Sequence, residues 1–477
     1  MSTTTLTEVK ETSATRINEI FEIQKKHQYA VANTTAKQRI SKLKKFHKAI
    51  LKYRPEIKEA LYKDFRKHPS EVDLTEIYPI TSEIKHTKSH LRGWMDKQSV
   101  GTPLALMGSS SYVHQEPKGV VLIVAPWNFP VNLTFAPLVS AIAAGNTVMI
   151  KPSEMTPNAS AVMQKIIDET FDTKEVALVQ GGVETSKALL DLPFNHIFFT
   201  GSPQIGKIVM GAAAKNLTSV TLELGGKSPT IIDETANVEM AAKRTAWGKF
   251  VNNGQICIAP DYIFVHESKK EAFIKAVTKN LKEFYTEDAA KQESYSRIVN
   301  KKHFDRIAGL VEDAVERGAK IEFGGNTNSD ENYIAPTILS NVPMDSKVMT
   351  EEIFGPILPI HSFNNLDEVI NIINEREKPL ALYIYSKSRK NTTHIMNNTR
   401  AGGSCINHNG VHFYNANLPF GGSNNSGIGK GGGYYGFQAF SNARGVLKQN
   451  VPNALELLVP PYNDFKQKLI DLTIKWF

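Results

Sequence analysis

From Ile17 to about Trp94 the apolar residues recur at helical spacing. Leu43, Phe46, Ile50 and Leu51 read as one stripe, and Ile57, Leu61 and Phe65 as the next. Pro55 between them predicts a break, because proline lacks the N–H and clashes with the preceding turn. Residues 1–12 are polar and predict a frayed end. The pattern changes at 101–118, where short apolar pieces flank a Gly-Ser turn and predict a hairpin. Continuous apolar runs then alternate with helical stretches. Strands are predicted at Val120–Ala125, Thr147–Ile150, Val176–Val179, His196–Thr200 and Val220–Glu223. Helices are predicted between them at Leu133–Ala144, Ala159–Phe171 and Ile205–Ala214. Runs apolar on both faces suit strands covered by helices on both sides, so this half predicts a parallel, doubly wound α/β sheet. Ligands of such sheets bind at the carboxyl ends of the strands.

Beyond Gly226 the rhythm resumes. It predicts strand Tyr262–Val265, helices Lys269–Phe284 and Lys302–Arg317, and strands near Ile321 and Ile338. Helix Leu366–Glu375, strand Leu380–Tyr385 and helix Lys390–Asn398 follow, giving a second α/β unit over roughly 224–415. Residues 421–436 are rich in Gly and Ser and predict no regular structure. No internal repeat at solenoid periods is visible. At the end, Phe465, Leu469, Leu472 and Trp476 share a stripe with lysines elsewhere. That is an amphipathic helix, suited to docking on protein or to lying on a membrane surface as a peripheral contact; its shortness favours docking.

Composition narrows the classes. With 477 residues, 41% hydrophobic and 22% charged, the chain has core material for two or three domains. The net charge of +8 favours anionic ligands, but the basic residues are scattered and not interleaved with aromatics, which argues against nucleic acid. No apolar run is long enough to span a membrane, and no signal peptide opens the chain. Two cysteines, Cys257 and Cys405, make no disulfide framework, and the 13 histidines show no paired metal spacing. A reducing, cytoplasmic location without a metal is expected.

Candidate chemistry centres on Phe250-Val-Asn-Asn-Gly-Gln-Ile-Cys257-Ile-Ala-Pro-Asp-Tyr262, a thiol on a loop entering a core strand. By itself a free cysteine is more often a packing residue than a nucleophile. Two glycine motifs compete for a phosphate. Gly427-Ile-Gly-Lys-Gly-Gly432 fits a dinucleotide fingerprint but lacks a preceding strand, so it reads as a flexible loop. Gly201-Ser-Pro-Gln-Ile-Gly206-Lys207 nearly fits a P-loop, but Ile208 stands where a hydroxyl should hold magnesium. It does follow a strand and open a helix, whose free N–H groups suit a pyrophosphate.

Seven blocks now read together, in order: Ala125-Pro-Trp-Asn-Phe-Pro130, Lys151-Pro-Ser-Glu154, Phe199-Thr-Gly-Ser202 with Gly206, Glu223-Leu-Gly-Gly-Lys-Ser-Pro229, Gly254-Gln-Ile-Cys257, Glu351-Glu-Ile-Phe-Gly-Pro356 and Pro419-Phe-Gly-Gly422. The set resembles the aldehyde dehydrogenase superfamily over about residues 15–450, and Cys257-Ile-Ala-Pro-Asp-Tyr262 resembles its class 3 and fatty aldehyde branch. The resemblance implies a Rossmann-type dinucleotide-binding domain (1–100 and 119–223), a catalytic domain (224–432) and an oligomerisation element (101–118 and 433–450). Residues 451–477 form a tail, and a homodimer is implied. It also implies that Cys257 is the nucleophile, Asn128 an oxyanion donor and Glu223 the base that activates water. For the cofactor it implies Trp127, Lys151, Glu154, Gly201, Ser202, Gly206, Glu352 and Phe354, with Lys227 left without a role. An acidic Glu154 favours NAD over NADP, yet class 3 relatives also use NADP, so both stay open. The substrate implied is a medium- or long-chain, or aromatic, aldehyde. Transfer of the thioester to coenzyme A or phosphate, and a catalytically silent binding protein on the same fold, are the alternatives.

Overall fold

A computed structural model describes residues 11–452 and 454–476. The frayed end expected for residues 1–12 lies mostly outside them, but Glu11 and Thr12 are tied down. Thr12 donates its N–H to Gln180 O at 2.9 Å, and Glu11 accepts the Gly182 N–H at 2.8 Å. Helices Ala14–Ala32, Ala36–Phe65 and Tyr78–Met95 fill the predicted helical stretch. Helix Ala36–Phe65 runs through Pro55 instead of breaking there. Ile50, Ile57 and Leu61 anchor it on the core side, while Leu51, Lys52, Arg54 and Glu56 are exposed, so water can serve the carbonyl that proline leaves unpaired. Leu51 consequently falls off the predicted stripe.

The first sheet has parallel strands in the spatial order Ser219–Glu223, His196–Thr200, Val120–Val124, Thr147–Lys151, Val176–Leu178. In chain order that is 5-4-1-2-3, the doubly wound arrangement with its switch point between Val120–Val124 and His196–Thr200. Alternate side chains serve opposite layers. Val121, Ile123, Val148 and Ile150 pack under helices Ala36–Phe65, Asn132–Ala144 and Pro157–Thr170, whereas Val120, Leu122 and Met149 meet Ile17, Phe21 and Val209. The period of two that makes these runs wholly apolar is thus explained by two helical layers.

The second sheet has seven strands, adding Pro229–Ile232, Ile357–Phe363 and Gly403–Ile406 to those expected. A third sheet joins Gln98–Val100, Ser109–Pro117 and Ser441–Gln449, all antiparallel. The hairpin expected within 101–118 is not formed as such: only Ser109–Pro117 is a strand there, the Gly-Ser pair leads into it instead of turning, and its partners Gln98–Val100 and Ser441–Gln449 lie outside that range. The Gly- and Ser-rich stretch is ordered against expectation: Gly427–Ile428 pairs antiparallel with Leu222 and Glu223, and Gly433–Ala439 is a helix. Tertiary pairing supplies what local propensity withholds. The terminal helix Asp464–Trp476 forms but buries no residue among those described; Phe465 and Trp476 are each 68% exposed. No described helix is long and apolar enough to cross a membrane.

Candidate active site

The cysteine loop is built from strained backbone. Asn252 and Asn253 are left-handed, at φ 52° and 57°, and Gly254 follows at φ 72°. Asparagine tolerates that region better than other side chains, and three such residues in a row hold only where the surroundings dictate them. Here they do. Asn252 Nδ2 donates to Asn128 O at 2.9 Å, and Asn253 Nδ2 donates to Ser296 O at 2.7 Å. Gln255 donates to Asn252 O and Arg297 O and accepts the Val299 N–H. Tyr383 braces the turn from behind, donating to Ile258 O at 2.5 Å. A Cβ on Gly254 would strike Gly355 O, so glycine alone lets this loop meet the Glu352–Gly355 loop.

Cys257, half-buried, emerges from this frame. Burial pushes its thiol up to about 12, with the carboxylates of Glu352 and Glu223 adding to the shift. The resting sulfur is therefore a neutral thiol at neutral pH and needs a base. Asn128, 3% exposed, donates one amide hydrogen from Nδ2 to Gln255 O at 3.0 Å, which leaves the second free. Its own carbonyl accepts from Lys67 Nζ at 3.2 Å, and Lys67 pairs with Glu76 at 3.0 Å, both fully buried. Glu223 ends its strand opposite Thr200 and Gly427. Burial raises its carboxyl to about 8, against the opposing pull of the Lys430 ammonium.

Three cavities meet here. An apolar one is walled by Phe129, Leu133, Trp247, Val251, Ile258 and Phe413. A cleft lies at the switch point, lined by Trp127 and Asn128 and by Gly201 and Ser202. A third runs behind Glu223. Cys257 lines the first two, and Glu223 lines all three.

The sequence profile of the aldehyde dehydrogenase family matches residues 1–446. The chain is 46% identical over 424 residues to 4,4'-diaponeurosporen-aldehyde dehydrogenase of Staphylococcus aureus, covering 89% of this chain and 92% of that protein. It is 40% identical over 425 residues to the dimeric NADP-preferring aldehyde dehydrogenase of Canis lupus familiaris, covering 89% and 93%. A solved substrate-bound state of Staphylococcus aureus AldH superposes with a TM-score of 0.92 at 44% identity, covering 96% of this chain and 99% of that one. The chain belongs to the aldehyde dehydrogenase family. It is an NAD(P)-dependent aldehyde dehydrogenase.

The dehydrogenase's cleft fits a nicotinamide dinucleotide on its own terms. Glu352 Oε1 is buried with no partner among the described residues, and a Cβ on Gly225 would run into the same carboxylate. An acceptor held bare against a side-chain-free wall suits a ribose hydroxyl. Ser202 caps helix Pro203–Ala214, whose N–H end faces the cleft. Phe354, strained at φ 46°, stands edge-on to Trp127 at 5.4 Å. Trp127, Gly201, Ser202, Glu352 and Phe354 thus come together. Lys151 and Glu154, paired at 3.1 Å, sit outside that cavity at the end of strand Thr147–Lys151. Gly206 turns to packing, with Leu224 where its Cβ would go.

Some residues of the dehydrogenase's site carried no role at the level of sequence. Lys227 bridges Asp261, Val348 O and Glu351 O, and Asp261 receives the Ile353 N–H at 2.9 Å, so this lysine holds the Glu352 loop in place. Lys430, inside the discounted glycine motif, donates to Gly421 O and Gly422 O beside Glu223. That motif is thus an ordered wall of the site, not a flexible loop. Among the described residues, none after 450 lines any of the three cavities.

Proposed function

We propose that the chain oxidises an apolar aldehyde, medium- or long-chain aliphatic or aromatic, to its carboxylic acid through a thioester on Cys257. One observation carries this reading: Cys257 lies where the apolar cavity and the cleft at the switch point share a wall, with Glu223 on both. Ionised Glu223 takes the proton of the Cys257 thiol and sheds it to water, and the sulfur adds to the carbonyl carbon. The oxygen becomes an oxyanion, met by the free Asn128 amide hydrogen and the Cys257 N–H. NAD(P) in the cleft supplies the hydride acceptor. Glu223 then takes a proton from water as its oxygen attacks the thioester, the C–S bond breaks and the acid leaves. A panel of aldehydes of rising chain length, followed by NADH and NADPH absorbance with and without coenzyme A, tests this. An acyl-coenzyme A product would turn the reading to the acylating alternative.

Asn128→Ala is expected to lower kcat by roughly 10²–10³, the cost of losing one oxyanion donor, with cofactor affinity little changed. Near-normal turnover would remove Asn128 from the mechanism. For the cofactor, Glu154 beside Lys151 favours a free 2′-hydroxyl, and so NAD, whereas a relative named as NADP-preferring supports NADP. Glu154→Ser is therefore expected to raise the NADP to NAD ratio of kcat/KM about tenfold, worth ~1.4 kcal/mol. An unmoved ratio would take Glu154 out of cofactor choice.

The same reading divides the chain into a dinucleotide-binding part, a catalytic part and the small antiparallel sheet. Strand Ser441–Gln449 is an edge of that sheet with exposed residues along it, a surface that suits pairing in a homodimer.

A further inference from the structure

We propose that Glu83 relays to solvent the proton that Glu223 takes from the hydrolytic water, through the cavity behind Glu223. The inference rests on the reading of Glu223 as the base. During hydrolysis the apolar cavity holds the acyl chain and the cleft holds the dinucleotide. Of the three cavities that meet at Glu223, only the third then remains open for its proton.

That third cavity is built for water. Glu223, Glu83 and Ser140 all line it, and so does Leu418, which is 46% exposed and brings the lining to solvent. Asn132 lines it too. This residue is 2% exposed, its N–H goes to Glu76 and its Nδ2 to Thr75 O, but its Oδ1 has no partner among the described residues. A roomy cavity with unpaired polar atoms holds ordered water.

A glycine segment links the two carboxylates. A Cβ on Gly431 would lie 2.6 Å from Glu223 Oε1, and two residues on, the Gly433 N–H donates to Glu83 Oε1 at 2.9 Å. Glycine at 431 keeps the space beside Glu223 clear. Glu83 is 9% exposed, lines the cavity and has one oxygen engaged by the Gly433 N–H. The other titratable groups facing the route are Lys430 beside Glu223, His86 beside Gly433 and Tyr414 on the cavity wall.

The balance is simple. Water gives one proton to Glu223 and its hydroxyl to the acyl carbon, and the thiolate leaves and takes a proton from solvent, which restores the resting thiol. Glu223 passes the proton to a cavity water, which gives another to Glu83, and Glu83 releases it to solvent.

The test is Glu83→Gln, studied by pre-steady-state NADH or NADPH formation. We expect a burst of wild-type size followed by a steady rate about tenfold lower, with most of the rate restored in Glu83→Asp. A steady rate within about twofold of wild type, or equal loss of burst and steady rate, overturns the proposal. If Glu83→Gln does not fold, acyl-enzyme hydrolysis by the wild type in H₂O/D₂O mixtures decides. A bowed proton inventory, from several protons in flight, supports the relay; a straight line overturns it. Glu223→Gln separates the two readings. If it hydrolyses at full rate, the base assignment itself fails. If it is slow while Glu83→Gln is normal, only the relay fails.

Discussion

Cys257→Ser is expected to lower aldehyde oxidation on the order of 10⁵-fold, the scale seen when an enzyme loses its covalent nucleophile. The size follows from the site. Even the thiol is pushed up to about 12 by burial and two carboxylates, and a serine hydroxyl starts far higher and adds to carbonyls more slowly. The volume change is small, and the loop is framed by the side chains of Asn252, Asn253 and Gln255. The melting temperature should therefore stay within a few degrees of wild type while NADH or NADPH formation vanishes. A variant that kept a tenth of wild-type turnover would show that the sulfur is not the nucleophile.

Glu223→Gln carries the second largest effect. Acid formation should fall roughly 10²–10⁴-fold, the usual worth of a positioned base; both thiol activation and hydrolysis slow, and where hydrolysis slows more, acyl-enzyme accumulates as added mass on the Cys257 peptide. The wild-type rate should rise with pH up to about 8 as Glu223 loses its proton, and the glutamine variant should lose that limb. Stability moves the other way. The folded-state pKa is raised, so the folded state binds the extra proton; the associated stability is present below about 4.5 and is lost as pH rises through about 8. Glutamine carries no charge to bury, so the variant should melt above wild type at pH 9 and level with it at pH 5. A slow variant without acyl-enzyme would place Glu223 in thiol activation alone.

Much of this was legible because its signals are local. Strands such as Val120–Val124 and His196–Thr200 announce themselves as apolar runs, and the residues ending them form the site because a parallel sheet gathers its carboxyl ends at one edge. Other features came from contacts far apart in the chain. Gly427–Ile428 is a strand only because Leu222 and Glu223 offer an edge, and Pro55 sits within a helix only because Ile50, Ile57 and Leu61 pack to either side of it. Gly206, read as a phosphate contact, packs on Leu224, which follows the neighbouring strand.

The amino-acid sequence by itself determined the doubly wound α/β order and the family, and marked the thiol, amide and carboxylate on which the proposed chemistry rests. It could do so because spacing and residue type are written along the chain. Only the tertiary structure decided that Lys67 and Asn252 hold Asn128, that Lys227 holds the Glu352 loop, and that Glu83 and Glu223 share a cavity. Those partners lie from tens to hundreds of residues apart, and the burial that shifts their proton affinities exists only once the layers have closed.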